Sequence, residues 1–97
     1  MESQELTRLL QLEDWGPDDE KSALTLDEKD RVHLAKHIAN YDGILIDLSH
    51  DTSVSVREAV ASNKNTPVNI LKKFSKDDKS IEVRTTAIQS LEELNYE

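Results

Sequence analysis

Few residues in this 97-residue chain have the types and spacing that chemistry needs. His33 and His37 stand four apart, which puts both imidazoles on one face of a helix within reach of one metal ion. The run between them, His-Leu-Ala-Lys-His, lacks the glutamate of a zinc-protease motif. A third ligand would have to come from Asp30 or from His50, so the pair reads more simply as two surface histidines. There is no cysteine, which removes disulfides, thiol nucleophiles and cysteine-held clusters. The only glycines are Gly16 and Gly43, too few for a phosphate-cradling loop, and no serine sits in a nucleophile-elbow pattern. Paired carboxylates abound in a chain with 20 acids and carry no information by being paired. No catalytic, cofactor-binding or metal-binding residue is assigned; the expectation is a protein that is not an enzyme.

Charge offers more. The chain holds 20 acids against 12 Lys and Arg, a net charge of −8. Residues 1–55 carry the whole excess, with 13 acids and 5 bases, and residues 56–97 carry 7 of each. The densest stretch is Glu13-Asp14-Trp15-Gly16-Pro17-Asp18-Asp19-Glu20. Such runs are usually solvated, and Gly-Pro argues against helix, so residues 13–24 are read as an acidic loop. Trp15, the only tryptophan, either folds back as a core anchor or is an exposed anchor in a recognition segment. Asp14, Trp15, Asp18, Asp19 and Glu20 are accordingly the candidate partner-binding residues. An acidic chain lacks the basic footprint of a nucleic-acid binder, and Lys72, Lys73, Lys76 and Lys79 read as a solvated helix end.

The elements that must position these residues follow from an internal repeat. Residues 44–57 and 70–84 align with one extra residue in the second copy. Ile44/Ile70, Leu45/Leu71, Ser49/Ser75, Asp51/Asp78, Ser53/Ser80, Val56/Val83 and Arg57/Arg84 are identical. A period of 26–27 residues is the range in which self-similarity marks stacked units. Thr66-Pro67 reads as a helix start, followed by Val68, Leu71 and Phe74 at helical spacing. Ser80 precedes a helix with Val83, Ala87, Leu91 and Leu94 on one face, and Ser53 one with Val56, Ala59 and Val60. Residues 44–48 alternate like a strand, but their match to 70–74 makes them helix. Thr25-x-x-Glu28 reads as a capping box opening a degenerate earlier unit. The expected helices are about 2–12, 26–39, 43–49, 53–62, 67–75 and 80–94.

The motif Asp-x4-Val-Arg, at Asp51…Val56-Arg57 and Asp78…Val83-Arg84, resembles the signature of HEAT-type repeats. The run from Val56 to Pro67 is similar to the leucine-rich-repeat variant, which also stacks short helix pairs. The resemblance covers about residues 44–90. It implies an all-α fold, a short α-solenoid of two clear repeats and one degenerate one. Within a single domain, 1–97, the residue patterns together with the repeat divide the chain into an N-terminal capping helix (2–12), the acidic loop (13–24), a degenerate repeat (25–43) and repeats at 44–69 and 70–97. It also implies a ladder between units formed by Asp51, Arg57, Asp78 and Arg84. Some leucine-rich-repeat variants carry an N-terminal cysteine cluster; this chain has none, so no cofactor carries over.

Scaffolds of this kind serve many partners, and the fold alone supplies no function. The leading expectation is a cytoplasmic protein–protein interaction module that binds a basic patch of a partner, with neither membrane nor direct nucleic-acid contact. The alternative is a small acidic inhibitor that imitates nucleic acid to block a nuclease or DNA-binding protein. A monomer is favoured over a homodimer; a dimer is expected to use Leu94 and Tyr96.

Overall fold

The computed structural model describes residues 3–95. It contains seven α-helices and no strand among those residues: α1 (Gln4–Gln11), α2 (Pro17–Leu24), α3 (Glu28–His37), α4 (Asp42–Leu48), α5 (Val54–Ser62), α6 (Val68–Asp77) and α7 (Ile81–Glu93). The strand alternative at 44–48 is gone, because Ile44, Leu45 and Leu48 all turn inward on α4.

Local chemistry explains most boundaries. The Ser3 hydroxyl accepts the Leu6 N–H (3.1 Å) at the start of α1, and the Ser53 hydroxyl accepts the Val56 N–H (3.3 Å) at the start of α5. At α7, Ser80 occupies the cap position but its hydroxyl donates to Glu82 (2.7 Å). Asn95, at φ 64°, lies just past the end of α7 in the left-handed region that asparagine tolerates.

Three sequence expectations need correction. The acidic loop of 13–24 contains a helix, α2. Gly16 is its N-cap and Pro17 its first residue, where the missing N–H of proline costs nothing. The Asp19 carboxylate accepts the Gly16 N–H (2.9 Å), and Asp18, Asp19 and Glu20 sit in the first turn, where the helix dipole favours negative charge. The acid run is therefore a helix-start signal. Secondly, the Thr25–Glu28 capping box is absent. Thr25 terminates α2, and Asp27 caps α3 by accepting the Asp30 N–H (3.0 Å). Thirdly, Thr66 does not cap α6; its buried hydroxyl donates to the Val60 carbonyl (2.7 Å), and Pro67 takes the cap position.

Helices α3, α5 and α7 pack side by side in chain order, α6 packs on α7, and α1 and α2 lie against α3. The core runs continuously from Leu6 and Leu9 through Leu34, Ile38, Ile44, Leu45, Leu48, Val56 and Val60 to Val83 and Ala87. Burying each large aliphatic side chain contributes about 1.5–3 kcal/mol. The apolar face of α1 is thus covered internally, and Leu91 is also buried. Leu94 is half-buried, and Tyr96 lies outside the described residues.

Buried polar groups tie successive helices together. Asn63, 4% exposed, donates through Nδ2 to the carbonyls of Ala35 (2.9 Å) and Ile38 (2.8 Å) at the end of α3. Ser90, 3% exposed, donates to the Ala61 carbonyl in α5 (2.6 Å). Asn40 makes a related bond to the Leu12 carbonyl just beyond α1 (2.7 Å). Each satisfies carbonyls that a helix end leaves open. Asn63 also acts locally: its side-chain carbonyl oxygen accepts the Asn65 N–H (2.8 Å), while its amide reaches the neighbouring helix.

Candidate functional site

The five candidate partner-binding residues have different surroundings. Asp14 and Asp18 are exposed. Asp19 is engaged twice, by the Gly16 N–H and by Arg8 Nη1 (2.9 Å), and these bonds hold its carboxyl below the usual carboxylate range. Arg8 also grips Glu5 through Nε (3.0 Å) and Nη2 (2.6 Å). Asp19 therefore joins α1 to α2 and is a structural residue. Trp15 is half-buried and stacks on Tyr41, with ring centroids 5.1 Å apart and planes 16° from parallel. Its indole nitrogen is buried without a hydrogen-bond partner. Gly43 makes room for the ring of Tyr41, since a Cβ there would lie 2.6 Å from it.

Glu20 lies at the centre of the acidic group. Its carboxylate beside the Tyr41 hydroxyl holds that phenol above its ordinary value. It also approaches Asp47 on α4. Loss of solvent raises the Asp47 carboxyl above the usual range, the contact with Glu20 raises it further, and His50 works in the opposite direction. Among the described residues no Lys or Arg forms an ion pair with Glu20 or Asp47. The sequence reading missed Tyr41 and Asp47, which only the packing of α4 on α2 brings to Glu20.

The four ladder residues sit in a repeated arrangement that also includes Arg31. Arg31 Nε and Nη2 bond the two oxygens of Asp51 (2.9 and 3.3 Å), and Nη1 bonds the Leu26 carbonyl (2.7 Å). Arg57 does the same with Asp78 (2.9 and 3.3 Å), its Nη1 on the Asp51 carbonyl (2.8 Å). Each aspartate also accepts the N–H of the serine two residues on, Ser53 or Ser80 (2.9 Å in both). Asp51 therefore pairs with Arg31, and Arg57 with the aspartate of the following unit. Arg84 has the backbone bond, from Nη1 to the Asp78 carbonyl (2.6 Å), and forms no ion pair with an aspartate among the described residues; it acts instead on Glu82 of its own helix, whose carboxyl the Ser80 hydroxyl and then Arg84 lower. The sequence did hold a signal for Arg31, which precedes Arg57 by one repeat period of 26 residues.

The remaining candidates are peripheral. The His33 and His37 rings lie 4.6 Å apart, and no group of three metal-ligating side chains occurs among the described residues. A groove of about 380 Å³ runs between α4 and α6, lined by Ile46, His50, Ile70, Lys73 and Phe74 among others. No helix among the described residues is long and apolar enough to cross a membrane. The chain matches no protein-family model, no curated protein and no solved structure.

Proposed function

We propose that this chain is a non-catalytic protein–protein interaction module, a short α-solenoid whose acidic face on α2 and α4 binds a basic patch of a partner protein. The observation that carries this reading is the Glu20–Asp47 pair. Helices α2 and α4 touch, loss of solvent and then Glu20 raise the Asp47 carboxyl, and among the described residues no Lys or Arg forms an ion pair with either, so an incoming Lys or Arg would relieve them. Asp14 and Asp18 extend the same sign of charge on exposed positions and steer encounter. The solenoid part rests on the sequence repeat and on the side-by-side order of α3, α5 and α7 with its recurring Arg–Asp bonds.

The nucleic-acid-mimic reading gains no support. Asp19, Asp51 and Asp78 are bound up in ion pairs, which withdraws them from any extended row of free carboxylates.

The test is affinity capture from native lysate with the unaltered chain and with a variant carrying Asp14→Asn, Asp18→Asn, Glu20→Gln and Asp47→Asn. Asp19 stays intact so that the α1–α2 joint is preserved. The reading expects salt-sensitive partners that the variant loses; an unchanged set of partners removes the acidic face from the function.

A further inference from the structure

Residues 13–25 are held to the rest of the molecule by little. One side chain among them, Ala23, is fully buried, and Leu24, the one large aliphatic residue of α2, is 43% exposed. Each of the other six helices buries two or more side chains. Packing of an apolar face supplies most of a helix's stability, and the eight residues of α2 are too few for a helix to hold by itself. The polar ties of α2 to α1 lie at the surface: Arg8, 45% exposed, on Asp19 (2.9 Å), and the Ser22 hydroxyl beside the Glu5 carboxylate.

Two contacts work against this stretch staying in place. The Trp15 ring stacks on Tyr41, but its indole N–H is buried without a partner, so its hydration is lost and nothing replaces it. Glu20 meets Asp47 where α2 touches α4, carboxyl against carboxyl. The two ends of the stretch, by contrast, are firm. The Asn40 amide holds the Leu12 carbonyl (2.7 Å) before it, and Arg31 Nη1 holds the Leu26 carbonyl (2.7 Å) after it. Arg31 is itself fixed by both oxygens of Asp51.

We propose that residues 13–25 form a lid that opens between Leu12 and Leu26 while α1 and α3 to α7 stay folded. In the open form Trp15 leaves Tyr41 and its N–H regains water, and Glu20 leaves Asp47. An element with few buried apolar contacts opens locally, at a lower free energy than the whole domain unfolds. The acidic face on α2 and α4 is therefore complete only when the lid is closed. A Lys or Arg set between Glu20 and Asp47 favours the closed form, and the closed fraction scales the apparent affinity of the face. This regulation rests on the basic-partner reading; the opening itself does not.

Native-state hydrogen exchange on the full chain reads the opening. The amides of residues 21–24 are expected to exchange about 100-fold faster than those of Val60 and Ala61 on α5, and well ahead of Leu9 and Leu10 on α1. Trp15, the only tryptophan, gives a second reading: its emission is expected to change at lower urea than the helical circular dichroism. Decalysine stands in for the partner's cationic side chains. At low salt it is expected to slow the exchange of α2 about 5-fold in the unaltered chain and to have no effect on a variant with Glu20→Gln and Asp47→Asn. Amides of α2 that exchange only with the core, or coincident urea transitions, overturn the lid whatever partners are captured. Exchange of α1 together with α2 overturns the firm point at Leu12 and with it the lid. Early α2 exchange that decalysine leaves unchanged overturns closure by a cation. Early exchange that decalysine slows supports both parts, and if the captured partners then ignore the acidic substitutions, the basic-partner reading fails while the lid stands.

Discussion

Arg57→Ala tests most directly what holds successive helices together. Its side chain is 15% exposed and that of Asp78 is 7% exposed. The substitution removes two bonds to Asp78, one to the Asp51 carbonyl and one to the Thr52 carbonyl. Asp78 is left as a nearly buried carboxylate whose remaining protein donor is the Ser80 N–H. Breaking a buried pair by removing one partner costs about 3–5 kcal/mol. Because the Ser80 N–H remains and the site borders solvent, the lower end applies, about 3 kcal/mol. In a domain of this size that lowers the melting midpoint by about 12–24 °C. Urea denaturation of Arg57→Ala, Asp78→Ala and the double variant should give a coupling energy of about 2 kcal/mol. The control is Arg8–Asp19, where Arg8 is 45% exposed, solvent screens the pair and the coupling should be much weaker. If Arg57→Ala lies within about 0.5 kcal/mol of the unaltered chain, or if both cycles give equal coupling, the buried-ladder reasoning is wrong.

Other perturbations separate the remaining contributions. Asn63→Ala should destabilise by about 2–3 kcal/mol by chemical denaturation, since it strands two buried carbonyls at the end of α3. Asp47→Asn should raise the urea midpoint at pH 7 and have little effect near pH 3. The folded-state value of Asp47 is raised, so its unfavourable contribution is absent below the unfolded value and complete above the folded one. Asp19→Asn should do the reverse: the folded-state value is lowered, so the stabilisation is present above the unfolded value and is lost as pH falls through the folded one. A midpoint-against-pH series from 2.5 to about 8 reads both signs, and a flat difference for either variant contradicts its assignment. Leu48→Ala, at a fully buried position on the short helix α4, should cost about 2–5 kcal/mol; a much smaller loss would mean that α4 is not fixed to the core.

Helix α1 and the helices from residue 26 onward are legible in the sequence, because apolar spacing and a repeated string of residues specify an amphipathic helix locally. The sequence by itself also determined which residues the units share: Asp51, Asp78, Arg57 and Arg84 stand out in the alignment because the repeat aligns them. Even Arg31 was within reach of the same period. The sequence misled at Gly16-Pro17, where one dipeptide signals either a turn or a helix start. The Asp19 bond to the Gly16 N–H and the burial of Ala23 chose the helix start. Tertiary structure alone decided everything that joins residues distant in the chain. Glu20 meets Asp47 because α2 rests against α4, Arg57 reaches across to the aspartate before α7, and Asn63 bonds carbonyls 25 and 28 residues away. No local pattern encodes such meetings. They follow from which apolar faces bury one another.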